Sequence, residues 1–152
     1  MLRFALAAVS CLWGSVALAE DCLLQQPGTE ESPALACLQC HDGSRAKSHL
    51  QTGHPVDLAY AQAQSLRPGE LRPEAEVVAR GGFLPQGMLR CTTCHSARSP
   101  WARHLNLPPN AKARPAVNPF DPATYEVTPI EAPAAGSEVS AKPLCLLCHA
   151  LD

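Results

Sequence analysis

Bulky apolar side chains are scarce in this chain. After residue 19 there are only 16 Leu, 6 Val, 2 Phe and 1 Ile in 133 residues, a share close to that of chains too poor in apolar groups to fold. Aromatic residues make up 5% of the whole, and Met88 is the one methionine after Met1. A full core built from side chains alone is therefore excluded. A dominant charge is missing too, with 12 Lys and Arg against 14 Asp and Glu. No basic stripe offers itself to nucleic acid. With 152 residues, the chain has room for one small domain and none for a separate substrate domain. What it holds in excess is 15 prolines and 8 cysteines.

The first nineteen residues read as an export signal. Met1-Leu2-Arg3 is a short basic end, Phe4 to Val16 is apolar apart from Ser10, Gly14 and Ser15, and Ala17-Leu18-Ala19 has the small-x-small pattern of a cleavage site. A retained membrane anchor would need roughly 20 consecutive apolar residues. Glu20 and Asp21 stand before Cys22, so the pattern is not that of a lipoprotein. No later run is long and apolar enough to span a bilayer, which predicts a soluble periplasmic or secreted protein. Residues 20–36 form an N-terminal segment. Cys22 is its odd thiol, read either as a contact to a neighbouring subunit or as a dispensable group in a loose chain end.

Six of the remaining cysteines fall into three copies of one pentapeptide: Cys37-Leu38-Gln39-Cys40-His41, Cys91-Thr92-Thr93-Cys94-His95 and Cys145-Leu146-Leu147-Cys148-His149. This is C-x-x-C-H, the attachment signature of c-type haem. Cysteines three apart share one face of a helical turn, so both sulfurs can form thioethers with one haem while the following imidazole binds its iron. A disulfide framework suits an exported chain but gives no reason for His after every second Cys. Zinc sites use such pairs two at a time, and three pairs leave an awkward count. A thioredoxin-like motif would occur once, in a βαβ setting absent here. Three covalent haems are expected, and they supply the apolar volume that the side chains lack.

The histidine count closes on the same number. Three of six are the proximal ligands His41, His95 and His149, which leaves His49, His54 and His104 for three distal positions. Gly53 beside His54 removes a side chain where a macrocycle would approach, and Pro55 holds His54 extended. His49 and His104 are each followed by Leu. Their alternative is a solvated loop histidine, while Met88, three residues before Cys91, is better read as packing.

From Cys37 to Cys91 is 54 residues, and from Cys91 to Cys145 is 54 again. The copies share layout but little sequence beyond Ser48-His49-Leu50 and Arg103-His104-Leu105. The third copy ends at Asp152 without a spare histidine, so at least one distal ligand is expected from another repeat. Residues 37–152 are read as one trihaem domain, mostly irregular with short helices. Asp57 is placed to cap a helix through Leu66. A β-hairpin is expected from Val77–Phe83 and Met88–Cys91 about a type I turn at Leu84-Pro85-Gln86-Gly87, with a helix over Glu74–Arg80 as the rival. The 106–143 segment carries eight prolines, which rules out a helix or central strand and suggests an extended strap over the haems or a subunit contact.

The chain resembles the exported multihaem cytochromes c with doubled C-x-x-C-H motifs. The matching pieces are Cys37 to Gly43, Gly53-His54-Pro55-Val56, Leu84 to His95 and Leu144 to His149. The resemblance implies proximal roles for His41, His95 and His149, a distal role for His54, and electron transfer in the periplasm or outside the cell beside larger multihaem partners. Where the family often has Asp-Pro-His after the second motif, Ser96-Ala97-Arg98 stands here and the next histidine is His104. The expectation is a non-enzymatic electron carrier with three low-spin bis-His haems. Its alternatives are a subunit of a larger haem assembly or filament and a haem enzyme with one open iron.

Overall fold

A computed structural model describes residues 22–43, 54–118, 120–121 and 132–151. The expected export signal over 1–19, His49 and part of the proline-rich segment lie outside these residues. Among the described residues, five short α-helices and one two-stranded sheet punctuate irregular chain. In order they are α1 (Ala34–Leu38), β1 (Leu58–Ala59), α2 (Tyr60–Leu66), α3 (Glu74–Ala79), β2 (Met88–Leu89), α4 (Cys91–Cys94) and α5 (Lys142–Cys148). All three pentapeptides begin on helices: α1 and α4 carry the first two, and α5 the third.

Two local expectations are corrected. Asp57 does not cap the helix that follows it: α2 starts at Tyr60 with Ala59 at its N-cap. The Asp57 amide instead donates to the Leu89 carbonyl at 2.7 Å, next to the antiparallel pairs Leu58–Leu89 and Ala59–Met88. Its carboxylate turns to α1, where the Ala34 amide donates to both oxygens at 3.0 and 2.8 Å. The expected hairpin is absent as well. Residues 74–79 are helical because Glu74 and Glu76 sit in the first turn, where the helix dipole favours them. Arg72 and Arg80 flank Glu76 at four-residue spacing, at 3.0 and 2.8 Å. Gln86 stands at φ 54°, where a type I turn needs negative φ, so 85–87 is a 3-10 turn that leads into β2.

The core is small. Tyr60, Val77, Leu84, Leu144 and Leu147 are buried together, joining α2, α3 and α5, with Leu71, Leu89, Leu105 and Leu107 against them. Gly82 lies so close that a Cβ there would fall 2.6 Å from Val77 Cγ1 and 3.0 Å from Leu147 Cδ2. The Tyr60 hydroxyl donates to the Arg72 carbonyl at 2.9 Å. Residues 70–72 run beside the third motif, the Arg72 amide donating to Cys148 O at 2.8 Å and the Ala150 amide to Glu70 O at 2.9 Å.

The described parts of the proline-rich segment are extended and fold back on themselves, with an isolated bridge between Pro115 and Val139. The Gly136 amide donates to Pro100 O at 2.7 Å and the Ala102 amide to Ser137 O at 3.0 Å, tying that return to residues 100–102. Its last two residues depart from the expected extended form. Lys142 and Pro143 open α5, because proline is tolerated in a first helical turn that has no partner for its missing N–H. Among the described residues no helix is long and apolar enough to cross a membrane.

Burial pushes the Tyr60 phenol up to about 12 from 10.0. A phenol raised in the folded state stabilises the fold fully below pH 10 and loses that contribution as pH rises toward 12. Denaturation of the protein between pH 9 and 12 should therefore show a decline in stability that Tyr60→Phe flattens. An equal decline in the variant would remove Tyr60 from the account.

Candidate functional site

Each pentapeptide folds into the same closed turn. The amide of its histidine donates to the carbonyl of its first cysteine, His41 to Cys37 at 3.0 Å, His95 to Cys91 at 2.9 Å and His149 to Cys145 at 2.9 Å. That i to i+4 bond leaves the two cysteines one turn apart on a common face. At His95 and His149 the backbone leaves the helix in extended conformation, with ψ of 138° and 130°. Two thioether sulfurs and an imidazole per turn are what the haem-attachment chemistry requires.

The three turns converge on α4. Cys91 shares a side-chain hydrogen bond with Cys37 of the first motif, and burial, with Cys37 beside it, pushes the Cys91 thiol up to about 12. Cys94 lies near Cys148 and Cys145 of the third motif, and burial raises it to about 11. Burial also raises Cys148. Cys40 and Cys145 are exposed, as is Cys22. Cys91, Cys94 and Cys148 are thus thiols held protonated, not thiolates poised as nucleophiles. Among the described residues no group of three or more His, Cys, Asp and Glu is arranged to hold a metal ion.

The second turn has the most complete surroundings. His95 Nδ1 lies 2.7 Å from the Arg103 carbonyl. Donation from Nδ1–H to that oxygen fixes the orientation and tautomer of the ring, as a backbone carbonyl does behind a metal-binding imidazole. The carbonyl is delivered by a strained backbone: Arg103 and His104 both have positive φ, 58° and 53°, a conformation costing about 1–3 kcal/mol per residue. Ser96 and Asn106 compensate, their amides donating to His104 O and Cys94 O at 2.8 Å each. His104 itself is half-buried, and among the described residues its buried Nδ1 has no hydrogen-bond partner. A cleft of ≈ 200 Å³ opens beside His95, lined in part by Leu24, Phe83 and Thr92.

Near the third turn, His54 and His149 approach with ring centres 6.2 Å apart and planes at 89°. His54 and His41 are exposed. The structure thus brings His54 to His149, wraps the His104 segment around His95, and leaves His49 outside the described residues.

Asp57 was not among the expected site residues, yet it couples two motifs. Besides capping α1, its carboxylate pairs with Arg90, the residue before Cys91, whose own amide donates to Thr93 Oγ1 at 3.0 Å. Thr92 Oγ1 donates to Glu30 O at 2.5 Å, anchoring the N-terminal segment to the second motif. The replacement of Leu-Gln and Leu-Leu by Thr-Thr between the cysteines was the available signal, because buried threonines need hydrogen-bond partners.

The chain matches no family model, no curated protein and no solved structure.

Loss of the Asp57 junction should be measurable. Asp57→Ala is expected to cost about 1–2 kcal/mol, the range of a lost helix cap. Asp57→Asn should cost less, because Asn keeps an acceptor and tolerates positive φ. Chemical denaturation of both variants checks the order, and equal losses would contradict a capping role.

Proposed function

We propose that the chain is an exported electron carrier holding three c-type haems, one on each C-x-x-C-H turn, with an imidazole on both sides of each iron. The observation that carries this reading is the recurrence at 54-residue intervals of one motif folded into one closed turn. The residues fit such a group on independent grounds. His95 Nδ1 is oriented by a backbone carbonyl, while among the described residues the buried His104 Nδ1 has no hydrogen-bond partner.

Bound haem iron would supply a one-electron couple; the chain supplies everything else. Cys37 with Cys40, Cys91 with Cys94, and Cys145 with Cys148 would be the covalent anchors. His41, His95 and His149 are the proximal ligands, and His49, His54 and His104 the distal ones. Two imidazoles per iron leave no position for a substrate, and the lack of a methionine ligand favours comparatively low potentials. The Cys37–Cys91 hydrogen bond and the nearness of Cys145 and Cys148 felt electrostatically at Cys94 support short distances between neighbouring groups, as a relay needs. The haem propionates add negative charge to a chain already slightly acidic, which suits redox partners with basic docking faces, other multihaem cytochromes among them.

A redox-titrated optical and EPR spectrum of the purified holoprotein tests this. Three low-spin haems, with no carbon monoxide binding in the reduced form, are expected. A high-spin fraction that binds carbon monoxide would favour a haem enzyme with an open iron.

A further inference from the structure

We propose that His54 and His149 are the two axial ligands of a single iron, the one attached through Cys145 and Cys148. The proposal rests on the trihaem reading and adds what that reading leaves open, the partner of the third proximal histidine. It draws the distal ligand of the last site from the first repeat, 95 residues away in sequence.

The separation of the rings carries the inference. A metal–imidazole bond is about 2.0–2.1 Å, and an imidazole nitrogen lies about 1.1 Å from its ring centre. Two imidazoles on opposite faces of one metal therefore have centres about 6 Å apart, and His54 and His149 stand at 6.2 Å. Edge-to-face packing of aromatic rings also covers this distance, but it stabilises rings shielded from water, and His54 is exposed. Among the described residues neither ring has a hydrogen-bond partner.

Both histidines are held from behind. The His149 amide closes its own turn on Cys145 O at 2.9 Å, and His149 pairs with Leu71 in an isolated antiparallel bridge. His54 is followed by Pro55 and stands three residues before Asp57, whose amide is fixed to Leu89 O. The link from Asp57 through β1 to α2 ends in the core, where Tyr60 Oη lies 3.4 Å from Cys148 O. The segment bearing His54 and the motif bearing His149 are thus joined through the same packed tyrosine. Ligands pre-placed in this way lose little entropy when they bind.

The perpendicular planes give a spectroscopic signature, since low-spin ferric iron between crossed imidazoles has a far more anisotropic EPR spectrum than iron between parallel ones. One of the three haems in the wild type should show it. In His54→Ala that signal should vanish, one haem of three should turn high-spin and bind carbon monoxide when reduced, and the intact mass should still include all three haems. His54→Met should restore a six-coordinate low-spin iron with a raised potential. The decisive arm removes the third haem by Cys145→Ala with Cys148→Ala: adding His54→Ala to that background should open no further iron. If it still opens one, the pairing is wrong and His54 serves another haem, while the trihaem reading stands. Unchanged spectra in His54→Ala would remove His54 from the ligands altogether. A wild type without haem would instead end the underlying reading.

Discussion

The bond from each motif histidine's amide to the carbonyl of its first cysteine is the constraint on which the rest depends. It makes a helical turn of five residues and so decides where two sulfurs and an imidazole emerge. Because the same bond recurs at 2.9–3.0 Å in all three motifs, three equivalent sets of side chains result. The remaining structure is largely a means of holding these turns near one another. A core of five buried residues could not do this alone. Polar junctions take over, with Asp57 spanning from the start of α1 to Arg90 and the 70–72 segment bonded along the third motif.

The second turn shows how strain is stored for this purpose. Arg103 and His104 adopt left-handed backbone, uncommon for any residue but glycine. In return the Arg103 carbonyl meets His95 Nδ1, and the surrounding segment bonds to both Ser96 and Cys94. A backbone acceptor at that nitrogen sets the tautomer of the imidazole. The exposed pair of Arg103 with Glu138 adds little by comparison.

The motifs were legible because their chemistry lies in local spacing, and the scarcity of Leu, Val, Ile and Phe foretold a small core. Helix 74–79 could be read only as a rival, since Val77 and Val78 favour strands while Glu74, Glu76 and Arg80 favour a helix, and the charges prevailed through contacts at four-residue spacing. Asp57 was misassigned because an N-cap was sought next in sequence, whereas the amide it satisfies belongs to Ala34, 23 residues earlier. The meeting of His54 with His149 and the Arg103 carbonyl at His95 were likewise beyond sequence reading. Both depend on tertiary routing, and the second also on positive φ at Arg103 and His104.

The central claim is that three turns hold three covalent groups. Intact-mass measurement of the protein matured with its haem-attachment machinery tests it most directly. The account predicts the mass of residues 20–152 plus three haems, retained under denaturing conditions because thioethers do not dissociate. A mass carrying two haems, one or none would contradict it.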